Sequence, residues 1–312
     1  VKKYTGNGNS NHAITFDGNS NMQPDLLWNK VSSEADSHAM FDSSRGINKI
    51  IYPNVNLAEG TDGNGNIESF DSNGFTVGGN QQYANHDGAT QITWAWKVNG
   101  GTTTTNDASA TGVGTIDSVY QANTTSGVAI VTYTGTGSAG TIAHGLGIAP
   151  KMIITKRRDD AEDWAVLIVP NGNDRISRLN ENTASSGLTG SGYWNDTSPT
   201  STVFSVGSGS VTNGSSRTIV AYCFSNVQGF SKVGTYKGNG NADGAFIYTG
   251  FEPAFFMQKR VSNTGNWLIY DNKRDIDNPA LTYLVANATD ASSTASTGID
   301  LLANGVKIRR TG

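Results

Sequence analysis

Two pairs of residues have the types and spacing that acid–base chemistry asks for: Asp42 with Arg45, and Asp271 with Arg274. A carboxylate and a guanidinium three residues apart could serve as a base and its electrostatic partner. An ion pair that fixes a turn meets the same spacing more simply, because Arg grips carboxylates in a two-pronged geometry, and both pairs read as structural. The loop Glu59-Gly60-Thr61-Asp62-Gly63-Asn64-Gly65-Asn66-Ile67-Glu68 offers oxygen ligands at alternate positions, as Ca²⁺ requires. Asp62, Asn64, Asn66 and Glu68 are its candidate ligands. Ile67 and Asn73 stand where an EF-hand has its sixth-place Gly and twelfth-place Glu, so a polar hairpin turn is the simpler reading. No other cofactor is expected.

The four histidines, His12, His38, His86 and His144, lack metal-ligand spacing, and Cys223 is the single cysteine. Zinc and a disulfide framework are both disfavoured. Cys223 lies in an apolar strand and reads as a buried, inert thiol. No Gly-x-Ser-x-Gly elbow stands between a strand and a helix. Gly207-Ser208-Gly209-Ser210 and Gly6-Asn7-Gly8 lie in turn-rich β context, where a phosphate loop does not belong. The chain reads as a non-enzyme.

What must position these residues is a unit stated three times. It opens as Tyr4-Thr5-Gly6-Asn7-Gly8, Tyr133-Thr134-Gly135-Thr136-Gly137 and Tyr236-Lys237-Gly238-Asn239-Gly240. Six residues after Pro24, Pro150 and Pro253 stand Lys30, Lys156 and Lys259; fourteen after, His38, Trp164 and Trp267; seventeen after, Phe41, Leu167 and Tyr270. Units one and two close on Ile92–Lys97 and Thr218–Phe224. The third unit ends at Gly312 with no such closing strand, so the chain reads as a segment of something longer.

Strand signals dominate: Leu26–Val31, Lys49–Tyr52, Ile92–Lys97, Met152–Lys156, Ala165–Val169, Thr218–Phe224 and Ala254–Lys259 are β-branched and aromatic, bounded by Gly, Asn, Asp and Ser. Pairs such as Asn73-Gly74 and Asn304-Gly305 suit hairpin turns. A short helical turn is expected in 280–287. The fold class is all-β, three tandem antiparallel β-sandwich units of jelly-roll or lectin-like kind, arranged as successive beads. Their bounds are 1–98, 129–228 and an incomplete 229–312, with 99–128 as a Gly/Thr/Ser-rich linker in which 116–121 could add an edge strand.

Only 15% of residues are charged, against the roughly 25% usual for soluble domains, and Gly, Ser, Thr and Asn fill the deficit. A net charge of −4 gives no reason to bind nucleic acid. The doublets in Lys156-Arg157-Arg158 and Arg309-Arg310 read as solvated strand ends. No apolar run approaches the roughly twenty residues of a membrane helix, so no membrane insertion is expected. Among the six tryptophans, Trp164 and Trp267 hold equivalent strand positions and read as core. Trp194 lies in a polar loop without counterpart in the other units, and Tyr193, Trp194, Asn195 and Asp196 are the candidate ligand-binding residues, with the indole face stacking on a sugar ring.

The runs Gly114–Asn123, Val131–Gly137 and His144–Ile154 resemble a domain of tail-fibre-like and other structural virion proteins of marine bacteriophages, with Pro24–Trp28, Phe41–Gly46 and Trp267–Asp275 carrying the likeness into the other units. That resemblance implies a virion protein exposed outside the host, with lectin-like β-sandwich domains, other virion proteins and copies of itself as partners, and host-surface glycans as a further class of ligand. The function expected is a structural part of a tail fibre, appendage or surface decoration that can attach to the host. The alternatives are a purely structural assembly module and a glycan-binding or glycan-active domain of a bacterial surface protein. A unit lacking its closing strand leaves an unpaired edge, which either the parent chain or a neighbouring subunit would fill.

Overall fold

The computed structural model describes residues 1–61, 63, 65–187 and 192–311. Unit one builds its main sheet from an opening strand (Lys2–Thr5), a closing strand (Thr90–Trp96), an inner strand (Leu26–Val31) and an outer strand (Ala39–Asp42), all antiparallel and in that order. Unit two repeats the order with Val128–Thr134, Thr218–Ser225, Pro150–Arg157 and Ala165–Ile168. A second layer covers each: His12–Thr15, Gly74–Val77 and Ser69–Asp71 in unit one, Gly140–Ala143 and Val203–Val206 in unit two. In unit three the inner strand (Phe255–Lys259) and outer strand (Trp267–Asp271) run on through Ala280–Val285, Ser293–Leu302 and Gly305–Ile308 to Phe246–Tyr248. Both of its layers form one curled sheet. The chain is all-β, and the two α-helices among the described residues, Ala108–Thr111 and Ser210–Asn213, are single turns.

Successive strand side chains point to opposite faces, and here both faces of the main sheets are apolar. In unit one Leu27, Phe41, Phe75 and Val77 pack inside the unit. Leu26, Trp28, Met40, Ile92 and Trp94 point the other way, into a cluster that also holds Ile154, Trp164, Val220 and Tyr222 of unit two and Trp267, Ile269 and Leu284 of unit three. The units are therefore not successive beads. They close around one shared core, and that second buried face explains why the inner strand Leu26–Val31 is buried at every residue.

Segment 99–128 is likewise not a linker. Thr104–Asn106 and Ser118–Asn123 extend the main sheet of unit two, with the helical turn Ala108–Thr111 between them. Its order comes from hydrogen bonds: the buried Asp25 carboxylate accepts from Val98 N (2.7 Å), Gly100 N (3.0 Å) and Gly101 N (2.8 Å). Small residues let the main chain come that close to the carboxylate. The helical turn expected in 280–287 is instead the strand Ala280–Val285, whose neighbours on both sides supply ladder partners.

The recurring opening turn docks on the residues that lead into the closing strand. Tyr4 OH donates to Ala84 O (2.8 Å) and Tyr133 OH to Thr212 O (2.6 Å). One residue later an Asn clamps the turn. Asn85 Oδ1 accepts from Asn7 N (2.9 Å) and its Nδ2 donates to Asn9 O (2.8 Å) and Gly78 O (2.6 Å); Asn213 does the same with Thr136 N (2.8 Å), Ser138 O (2.6 Å) and Gly207 O (2.7 Å). A Cβ on Gly6 would lie 2.1 Å from His86 O, and one on Gly135 2.3 Å from Gly214 O. Only glycine fits there.

Candidate functional site

The chemistry-bearing residues converge on the joints between units. The position fourteen after the reference proline supplies a ring nitrogen in each unit, and each one crosses to the next unit's main chain. Trp164 Nε1 donates to Tyr52 O (3.0 Å) and Val55 O (3.1 Å) of unit one, Trp267 Nε1 to Arg178 O (2.8 Å) of unit two, and His38 Nε2 to Val285 O (3.1 Å) of unit three. His38 Nδ1 accepts from Trp28 Nε1 (2.9 Å), which fixes the neutral tautomer. Burial, with Lys30 and Arg274 adding to it, holds His38 well below its ordinary pKa. The order two to one, three to two, one to three closes a pseudo-threefold ring, and Trp164 and Trp267 are core as read from their spacing.

The Asp–Arg pairs sit in the same joints. Arg45 donates through its main-chain N to Asp42 Oδ1 (2.8 Å) and through Nε to Asp42 Oδ2 (2.5 Å). Tyr222 OH, from the closing strand of unit two, adds a bond to Asp42 Oδ2 (2.7 Å). Glu59 then bridges Arg45 Nη1 (3.0 Å) to Arg158 Nε (2.8 Å) of unit two. Burial opposes the charge on Arg45, but Asp42, Tyr222 and Glu59 outweigh it and raise its pKa. In unit three Asp271 takes Arg274 N (2.9 Å) and Nε (2.7 Å), and Trp94 Nε1 from the closing strand of unit one (3.2 Å). Asp42 and Asp271 are fully buried, so neither carboxylate is open to a substrate.

The three recurring lysines anchor loops. Lys30 Nζ donates to Val31 O (2.5 Å) and Glu34 O (2.9 Å), Lys156 Nζ to Arg157 O (2.7 Å) and Asp160 O (3.3 Å), and Lys259 Nζ to Asn182 O (3.0 Å) and Gly265 O. Burial pushes each ammonium down to about 8. The expected solvated strand end at Lys156-Arg157-Arg158 is thus wrong: Lys156 and Arg157 are buried and Arg158 pairs with Glu59 across the joint. Arg309 pairs with Asp300 (2.6 Å), and Arg310 donates to Tyr270 OH (2.9 Å).

The chain belongs to the DUF7483 family. That family, described as a domain of unknown function, matches residues 1–312, so a single DUF7483 match spans all three units. No curated protein and no solved structure matches the chain.

The residues proposed for binding fare unevenly. Trp194 is only 2% exposed and packs in the core of unit two with Phe204 and Val206, so its face is closed to a sugar ring. Tyr193 and Asn195 are half-buried and Asp196 exposed, with Asn195 and Asp196 at φ 51° and 45°. The loop is polar because it turns sharply, and its Trp is the plug beneath it. Of the calcium candidates, Asp62 and Asn64 lie outside the described residues. Asn66 Oδ1 accepts from Tyr83 N (3.3 Å) and Glu68 Oε2 from Asn11 N (3.2 Å). Among the described residues no group of three acidic, His or Cys side chains gathers to hold a metal. Cys223 is buried and its thiol pKa is pushed up by burial.

Sequence reasoning missed one polar cleft. It lies in unit one and is lined by Tyr52, Tyr83, Gln81, Gln82, Asn66 and Thr61, among others, with a volume of about 240 Å³. The Tyr52 and Tyr83 rings meet edge to face at 5.2 Å. The signal was the run Gln81-Gln82-Tyr83, an aromatic next to two amides.

Proposed function

We propose that the chain is a non-enzymatic structural module of a virion appendage, such as a phage tail fibre or surface decoration, that lies outside the host cell and assembles with other chains. The observation that carries this is where the acid–base candidates go: Asp42, Arg45, Asp271 and Arg274 are consumed in joints between units, with Tyr222 and Trp94 bonding their carboxylates. A neutral, hydrogen-bonding surface over an interlocked core suits a part selected for assembly. The virion setting rests on the resemblance of the strings around Gly114–Asn123 and His144–Ile154. Labelling native particles with antibody against the chain tests it. Labelled appendages are expected, and particles that carry no label while the chain is abundant in the host envelope would overturn it.

Glycan attachment is a second reading, and the unit-one cleft favours it, because an aromatic pair beside Gln81 and Gln82 offers a stacking face and hydroxyl-binding amides together. Glycan-array binding lost on Tyr83→Ala would support it. Binding unaffected by Tyr83→Ala, or none to any glycan, would leave the assembly role alone.

A further inference from the structure

Unit three carries the same opening turn, and among the described residues no closing-strand segment docks on it. Its backbone already has the docked shape: Gly240 has φ 68°, against 64° at Gly8 and 73° at Gly137. Asn241 N donates to Asn239 Oδ1 at 3.1 Å, as Asn9 N does to Asn7 Oδ1 at 3.0 Å. A Cβ on Gly238, however, would meet nothing within 4 Å, where those on Gly6 and Gly135 would strike a carbonyl. The main-chain N–H groups equivalent to Gly238 and Asn239 bond to Ala89 O and Asn85 Oδ1 in unit one, and to Arg217 O and Asn213 Oδ1 in unit two. In unit three neither has a partner among the described residues.

A second observation comes from the sheet. The inner strand Phe255–Lys259 is the last of its sheet. Asn272 N donates to Ala254 O (3.2 Å), so by antiparallel alternation Phe256 and Gln258 bond toward the outer strand. Phe255, Met257 and Lys259 then turn their N–H and C=O to the open side. In units one and two the closing strand fills that side. Tyr236 OH, with no carbonyl at hand, reaches across to Gln258 Oε1 (2.8 Å). Met152 and Ile168 of unit two and Phe255 and Met257 of unit three stay half-buried beside the shared core. Ile168 stands where units one and three have Asp42 and Asp271, so the cyclic order of the joints sets it against the place a third closing strand would take.

We propose that unit three is a docking site for one extended polypeptide segment patterned like 85–96 and 213–225. Such a segment has an Asn, a strand that starts five residues later as Thr90 follows Asn85 and Thr218 follows Asn213, and an apolar residue nine places after the Asn. The Asn clamps Tyr236–Asn241, the strand joins the Phe255–Lys259 edge by β-augmentation, and the apolar residue lies against Ile168, which has no acceptor for a Trp or Tyr donor. Two occupied copies of the same seat in the same molecule specify the occupant. The site rests on the assembly reading for its use in a particle, but its binding is measured on the isolated chain and can fail while that reading stands.

The probe is a synthetic peptide of residues 212–225 carrying Tyr222→Leu and Cys223→Ala, titrated calorimetrically into the 312-residue chain. One peptide per chain is expected, with slowed hydrogen exchange at the amides of Phe255, Met257 and Lys259. Gly238→Ala is expected to keep the parent melting temperature and to weaken binding at least tenfold; Asn213→Ala in the peptide should weaken it equally. No binding, binding indifferent to Gly238→Ala, equal binding of a scrambled peptide, or a chain dimer whose second copy covers this edge would each overturn the proposal.

Discussion

Units one and three hold a buried Asp–Arg pair where unit two has Ile168 and Asn171, and what lies across each joint accounts for the difference. Asp42 meets the hydroxyl of Tyr222 and Asp271 meets the indole of Trp94. Among the described residues no closing strand stands across from Ile168. A carboxylate buried there without a donor would carry an uncompensated desolvation cost, and the apolar residue avoids it. The polar pair is thus written into a unit only where the neighbouring unit supplies its third member. The largest expected effect breaks this comparison directly. Asp42→Ala leaves the buried Arg45 guanidinium short of its main partner and Tyr222 OH without an acceptor, and should destabilise by about 3–5 kcal/mol. Chemical denaturation measures it, and a loss below ~1 kcal/mol would show that the joint does not depend on the pair.

Tyr222→Phe removes only the bond from across the joint, one between a hydroxyl and a charged group. A loss of about 1.5–3 kcal/mol is expected. Combined with Asp42→Ala, the two losses should fall well short of adding, because they share a partner. Additive losses in that double-mutant cycle would mean that Tyr222 and Asp42 are not coupled and that the motif is local to unit one.

The opening turns give a comparison of the same kind, two docked and one not. Gly6→Ala and Gly135→Ala drive a methyl into a main-chain carbonyl and should each cost about 1–3 kcal/mol. The same change at Gly238 meets open space and should stay within roughly 0.5 kcal/mol. Equal losses at all three sites would show that the glycines serve the turn's own conformation and not its docking.

Much of this was legible in the sequence, and the residues show why. The register of Lys30, Lys156 and Lys259 and of His38, Trp164 and Trp267 located equivalent strands, because a recurring position reflects a recurring contact. The inner strand Leu26–Val31 was bounded correctly because its ends carry turn signals. What the pattern could not reveal was which buried face belonged to which core. Leu26 and Leu27 look alike in sequence, yet one points into the shared core and the other into unit one. Segment 99–128 misled because its order is polar: Asp25 gathers two amides from it, those of Gly100 and Gly101, beside that of Val98 at its edge, and no hydrophobic pattern records such a bond. Trp194 misled for the opposite reason, since a polar loop around Tyr193 and Trp194 reads as a binding surface whether the indole points out or in.

The smallest effect tests whether the three joints are alike in acid. Two of them use an indole, which does not titrate, and the third uses His38 between units one and three. His38 is held neutral in the fold, well below its ordinary pKa, so in mild acid the unfolded chain takes up a proton that the folded chain refuses. Stability must then fall as pH drops below about 6.5, by up to roughly 1.4 kcal/mol per pH unit for each such histidine. His144, lowered by burial to about 4 while Thr200 O partly compensates, adds a second contribution of the same sign between about 6.5 and 4. Between pH 6.5 and 5, above most of the carboxylate range, His38→Gln should remove close to half of that slope while His144→Gln removes the rest. If denaturation curves for His38→Gln keep the full slope, His38 is not held neutral by the joint, and the contact with Val285 O is no weaker in acid than those made by Trp164 and Trp267.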